Sequence, residues 1–216
     1  MKLFYGADRE VIVPKYNYGN PSNDYGLGFY LTSYKEIAEL WATQYSPNGY
    51  LIEYDVDLSN LKVLRLNTIN DEDILVWLTI LISHRFSKDE RDRYKKEIEW
   101  LEKNYLIDLS KYDVIIGYRA DDSYFLYSRD FVGNELSLEI LKDAMKLGKL
   151  DIQIMLRSKK AFQKIKYLNS FIIPHSDEYE LFRNKTKIEY LKLKKEDDVN
   201  NTYLRDIMRR RSDKHD

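Results

Sequence analysis

Apolar positions along the chain recur with two periods, and the places where the period changes divide it into elements. Leu3 to Tyr5 is a short apolar run closed by Gly6, and Val11 to Val13 is another closed by Pro14, which predicts two short strands. Tyr16 to Gly28 interleaves Tyr, Asn, Gly, Ser and Pro, the chemistry of turns, before Phe29 to Thr32 returns to strand residues. From Ser33, the expected N-cap, the residues Ile37, Ala38, Leu40, Trp41 and Ala42 recur at helical spacing between Lys35, Glu36 and Glu39. Asn48-Gly49 predicts a turn into Tyr50 to Val56, where side chains alternate with the two-residue period of a strand.

Further on, Asp71 to Phe86 reads as a buried helix whose opening acids suit the N-terminal end of its dipole. Lys88 to Tyr105 predicts a second, highly charged helix with Tyr94, Ile98 and Leu101 as its apolar stripe. Val114 to Ile116 is a strand core, Ser137 to Leu147 a helix and Ile152 to Leu156 another strand. Helices and strands mixed without a regular βαβ repeat predict an α+β domain over residues 1–176. Residues 157–195 hold 11 Lys or Arg against 4 Asp or Glu, and the chain closes on RRRSDKHD, so residues 177–216 are expected to form a charged helical arm with a frayed tail.

Composition narrows the chemistry. At 216 residues, 44% apolar, the chain can bury the core of one ordinary domain. Its net charge of -1 favours neither a nucleic-acid coat nor a membrane surface, so a charged partner has to meet a local patch. Cysteine is absent and the histidines, His84, His175 and His215, lack ligand spacing, which argues against a metal site and a thiol nucleophile. The N-terminus lacks the apolar core of a secretory signal, and Ile74 to Ile82 falls well short of the roughly 20 residues a membrane span requires. A cytoplasmic protein without a membrane partner is the expectation.

Three segments carry the candidate chemistry: LFYGA over Leu3 to Ala7, DYGLGFYLTSYKEIAELWA over Asp24 to Ala42, and LDIQIMLRSKKAF from Leu150. Together they resemble the motifs of the ADP-ribosyltransferase superfamily, in particular a bacterial, toxin-like group that carries GFYLT before an alanine- and tryptophan-containing helix. The resemblance spans Met1 to about Leu168. It implies two small sheets around an NAD cleft with peripheral helices, and mono-ADP-ribosyl transfer from NAD, without a metal, to a protein or nucleic-acid acceptor. It also implies a toxin of a toxin-antitoxin or anti-phage system, with a cognate antitoxin as a partner.

By the same resemblance Tyr5 stands at the position that hydrogen-bonds the adenosine ribose, Tyr30 supports the nicotinamide side, and Gln153 holds the nicotinamide ribose 2′-hydroxyl. Gly6, Gly28, Phe29 and Thr32 would line the dinucleotide. Breaking the nicotinamide glycosidic bond builds positive charge on the ribose, so such a site must clamp NAD and stabilise an oxocarbenium-like transition state. Asp151, two residues before Gln153 and on the same strand face, is placed to orient or deprotonate the acceptor. In GYRADD, Gly117 to Asp122, the carboxylates suit either an acid/base pair or the N-cap of the following helix, and Arg119 either a pyrophosphate contact or a surface ion pair. Tyr5 replaces the usual His, which motivates an alternative: a catalytically idle module of the same fold that contacts RNA or protein. Its surface would be the basic C-terminal region, where Lys159, Lys160, Lys164, Lys166 and Lys187 alternate with Phe162, Tyr167 and Tyr190 in an amphipathic helical pattern.

Overall fold

A computed structural model describes residues 1–68, 70–120, 122–147 and 152–212. It is α+β and divides into two compact units. The first comprises Met1–Asn67, Asp108–Arg119 and Asp151–Asn184; the second comprises Thr68–Ile107, Ala120–Leu150 and Lys185–Asp216.

The first unit is built on one mixed sheet. Its strands are β1 (Lys2–Ala7), β2 (Phe29–Thr32), β3 (Asn48–Val56), β4 (Val63–Leu66), β5 (Val114–Tyr118), β6 (Ile152–Leu156) and β7 (Ile165–Pro174). They run in the order β4-β5-β6-β2-β1-β3-β7, parallel between β4 and β5 and antiparallel elsewhere. In place of two small sheets there is thus one seven-stranded sheet, but with a thin joint. β1 pairs with β3 along its whole length, whereas β1 and β2 meet in register only at Phe4 and Thr32. Beyond that pair the β1–β2 ladder does not continue, so Tyr5 to Ala7 and Phe29 to Leu31 run without register partners in each other's strand.

Alternation sorts the side chains to two faces. One face carries Leu3, Leu31, Ile52, Tyr54, Val114, Ile116, Ile154 and Leu156, a continuous buried cluster. The other receives helix α1 (Lys35–Thr43), which lies against Phe4 and Leu51 through Ala38. Glycine makes that approach possible. A Cβ on Gly6 would sit 2.2 Å from the Ala38 carbonyl oxygen, and one on Gly49 would sit 2.1 Å from that of Ala42.

Several local expectations change. Val11 to Val13 forms no strand: Ile12 and Val13 are exposed, while the Val11 carbonyl accepts a hydrogen bond from the buried Tyr54 hydroxyl and so ties a loop to the core. The N-cap of α1 is Tyr34 rather than Ser33, with the Thr32 hydroxyl accepting from the Tyr34 amide. Asn48-Gly49 opens β3, and the turn lies just before it. Of the stretch expected to follow a cationic helical pattern, Lys159 to Phe162 form the short helix α7 (Lys159–Phe162) and Lys166 and Tyr167 lie on β7, an edge strand, while Lys187 and Tyr190 are helical.

The second unit is helical. It holds α2 (Asp71–Arg85), α3 (Lys88–Arg93), α4 (Lys95–Tyr105), α5 (Asp122–Val132), α6 (Leu138–Ala144), the end of α8 (Glu178–Lys195) and α9 (Leu204–Ser212). The expected helix Lys88 to Tyr105 is two helices, broken at Tyr94, where φ is -108° and ψ 29°; Ser87 and Glu90 form a capping box at the start of α3. The C-terminal helices are packed rather than solvated. Tyr190 and Leu204 are fully buried, and α9 is helical through residue 212 of the expected tail. Asp130 on α5 accepts hydrogen bonds from the Tyr190 hydroxyl at 2.5 Å and from Lys194 Nζ at 2.6 Å, so two α8 side chains close on one buried carboxylate. No helix among the described residues is long and apolar enough to cross a membrane.

Candidate functional site

The sheet brings together two of the three principal candidates. Thr32 and Gln153 are register partners, as are Tyr30 and Met155, so Tyr30, Thr32 and Gln153 share the face that also carries Phe4. Tyr5 falls on the opposite face, where its ring packs 4.7 Å from that of Phe29. Burial first, then the neighbouring Tyr45 and Asp8, raises the Tyr5 phenol above its ordinary pKa, so it stays a neutral donor and acceptor. Asp151 lies outside the described residues, as does Asp121; α5 begins at Asp122.

On the shared face the loop preceding β2 folds back over the strands. The Tyr30 hydroxyl donates to the Gly26 carbonyl at 2.6 Å and accepts from the Tyr25 amide at 3.1 Å, so this side chain holds the glycine loop in place. Gly26 takes a positive φ of 79°, which glycine adopts without a steric cost. The Tyr25 ring stacks on Tyr30 and its hydroxyl donates to the Tyr118 carbonyl at 2.6 Å. Gln153 is 4% exposed, and its Nε2 donates to Asp24 Oδ2 at 2.8 Å and to the Tyr118 carbonyl at 3.3 Å. Since that carbonyl only accepts, the amide must turn its NH2 group toward it, which leaves Oε1 as the acceptor Gln153 can offer a ligand.

Gly6 and Gly28 have packing reasons to be glycine. A Cβ on Gly28 would meet the Leu156 backbone carbonyl oxygen at 2.8 Å as well as the Met155 side chain, so its absence favours the close approach of β2 to β6, just as Gly6 admits α1.

Arg119 directly follows β5. Its guanidinium lies 4.5 Å from the Trp41 ring centre and donates to the Tyr179 hydroxyl at 3.0 Å. Tyr45 is within electrostatic reach of the same guanidinium; burial and Asp8 raise its pKa, and Arg119 opposes the rise. The buried Trp41 indole Nε1 has no hydrogen-bond partner among the described residues, which leaves a donor ready for a ligand acceptor. Sequence reasoning missed Asp24, Trp41, Tyr45 and Tyr179. In the sequence Trp41 reads as part of a helical apolar stripe and of the tryptophan-containing motif helix, neither of which gives it a ligand role.

A cavity of about 350 Å³ in the second unit, lined by Asn200, Asn201, Asp206, Arg209 and Arg210, includes none of the candidate residues. No cluster of three or more His, Asp or Glu that could hold a metal occurs among the described residues.

Apart from Tyr179, the residues that build this site lie within residues 1–167, and that span matches the family described as protein of unknown function (DUF3990). The chain belongs to this family. No curated protein and no solved structure matches it. Family membership covers β1 to β6 and the Gln153, Asp24 and Tyr30 positions, but not α8 or α9.

Proposed function

We propose that this chain is a mono-ADP-ribosyltransferase that cleaves NAD and passes ADP-ribose to a protein or nucleic acid. The observation that carries the reading is the break in the β1–β2 ladder beyond Phe4 and Thr32. The two segments that resemble the superfamily's motifs, LFYGA and GFYLT, flank that break, and Gln153 is the register neighbour of Thr32. The polar groups suit a dinucleotide: Gln153 Oε1 for a ribose hydroxyl, the Trp41 indole NH as a spare donor, and the Arg119 guanidinium for phosphate. NAD enters as substrate, and no metal is required. On this reading the protein is a bacterial toxin of a toxin-antitoxin or anti-phage system, acting in the cytoplasm and restrained by a cognate antitoxin, an assignment made by analogy.

The test is incubation of purified protein with labelled NAD and a bacterial lysate, followed by separate nuclease and protease digestion. Label that one digestion removes identifies the acceptor class; absence of both label and free nicotinamide refutes the reading. Tyr5, which faces away from Tyr30 and Gln153, favours a second reading as an idle module that binds RNA or protein through its basic C-terminal region. There Lys185, Lys187, Lys192 and Lys195 are exposed on α8.

A further inference from the structure

The neutral Gln153 poses a chemical problem for the proposed reaction, because an amide cannot by itself set a full charge against a developing cation. The structure supplies a carboxylate next to it. Asp24, on the loop before β2, is 6% exposed, and its Oδ2 accepts from Gln153 Nε2 at 2.8 Å. The Tyr118 carbonyl takes the other Nε2 hydrogen. Two acceptors on one NH2 group fix the amide in a single orientation and draw electron density toward Oε1.

We infer that Asp24 is a positioning residue for Gln153: it locks the amide with Oε1 presented and provides, one hydrogen bond behind it, the negative charge that a glutamate would carry. The inference rests on the proposed NAD chemistry. It accounts for two things together, a neutral residue at a cation-stabilising position and a buried carboxylate hydrogen-bonded to its amide.

The reasoning is reciprocal, which makes it testable by moving the charge. Asp24→Asn keeps the size and an acceptor oxygen but removes the charge. Gln153→Glu places two carboxylates in hydrogen-bond contact, so one must take up a proton. Asp24→Asn with Gln153→Glu restores a single charge on the other residue. Nicotinamide release from NAD by the full-length protein, with kcat and KM measured separately against pH, reads all three, and thermal unfolding reports folding. Asp24→Asn should lower kcat by about tenfold or more with little change in KM. Gln153→Glu should lower both kcat and the melting temperature near neutral pH. The double variant should recover kcat to within about threefold of the parent.

If the parent releases nicotinamide and Asp24→Asn matches it in kcat, the inference fails and the transferase reading stands. A double variant that recovers its melting temperature but is no faster than Gln153→Glu also overturns it, since Asp24 would then serve packing alone. A parent that neither binds NAD nor releases nicotinamide ends the transferase reading, and this inference with it.

Discussion

The approach of α1 to β1 depends on the absence of one methyl group. A Cβ on Gly6 would stand 2.2 Å from the Ala38 carbonyl oxygen, 2.8 Å from Trp41 Cβ and 2.9 Å from the Ala42 amide nitrogen. Ordinary contacts are longer than about 3.3 Å, so Gly6→Ala must push α1 away from the sheet by roughly 1 Å. Two of the three obstacles are helix backbone, which cannot swing aside as a flexible side chain would. The cost should therefore fall near the top of the overpacking range, about 3 kcal/mol. With a urea dependence of about 2 kcal/mol per molar for a chain of this size, the midpoint of far-UV circular dichroism melts should drop by about 1.5 M. Because Trp41 also faces the Arg119 guanidinium, its fluorescence should change in the folded variant. A midpoint shift below about 0.3 M would refute the packing of α1 against β1, because a helix in close contact cannot absorb a methyl group without a measurable cost.

Other expectations concern separate parts of the molecule. Tyr190→Phe removes the hydroxyl that donates to Asp130 at 2.5 Å and should destabilise the protein by about 2 kcal/mol, seen in thermal unfolding. Asp113 accepts from the Ser158 hydroxyl and the Lys62 amide, and these bonds hold its pKa below the ordinary carboxylate value. Its contribution is therefore present above the unfolded pKa near 4 and is lost as pH falls through the folded value. Asp113→Asn should cost about 1 kcal/mol at pH 7, a figure lowered for its partial exposure, and the gap from the parent should close in urea melts as the pH is brought below the depressed value. On the proposed function, Arg119→Lys keeps the charge but loses the guanidinium contact with Trp41, so it should weaken NAD binding, measured by calorimetry, nearly as much as Arg119→Ala.

Local patterns in the sequence were enough for α1, α2 and the strands β1, β2, β3, β5 and β6, because each pairs a clear apolar period with punctuation by Gly, Pro or a capping residue. The motif residues Tyr30 and Gln153 were legible for the same reason, as strand positions in recognisable segments. β4 and β7 were not. β4 is four residues long, and β7, with Leu168, Phe171 and Ile172 exposed at the sheet edge, lacks the in-out alternation of a half-buried strand. The break at Tyr94 also escaped, since the charged residues on either side suit one helix as well as two.

By itself, then, the sequence determined which short stretches become strand or helix, through interactions that reach a few residues along the chain. Which faces those stretches share was decided only by tertiary structure. Register between strands far apart in sequence put Gln153 beside Thr32 and turned Tyr5 to the other side of the sheet. The 129 residues that separate Asp24 from Gln153 hide their hydrogen bond from any local pattern.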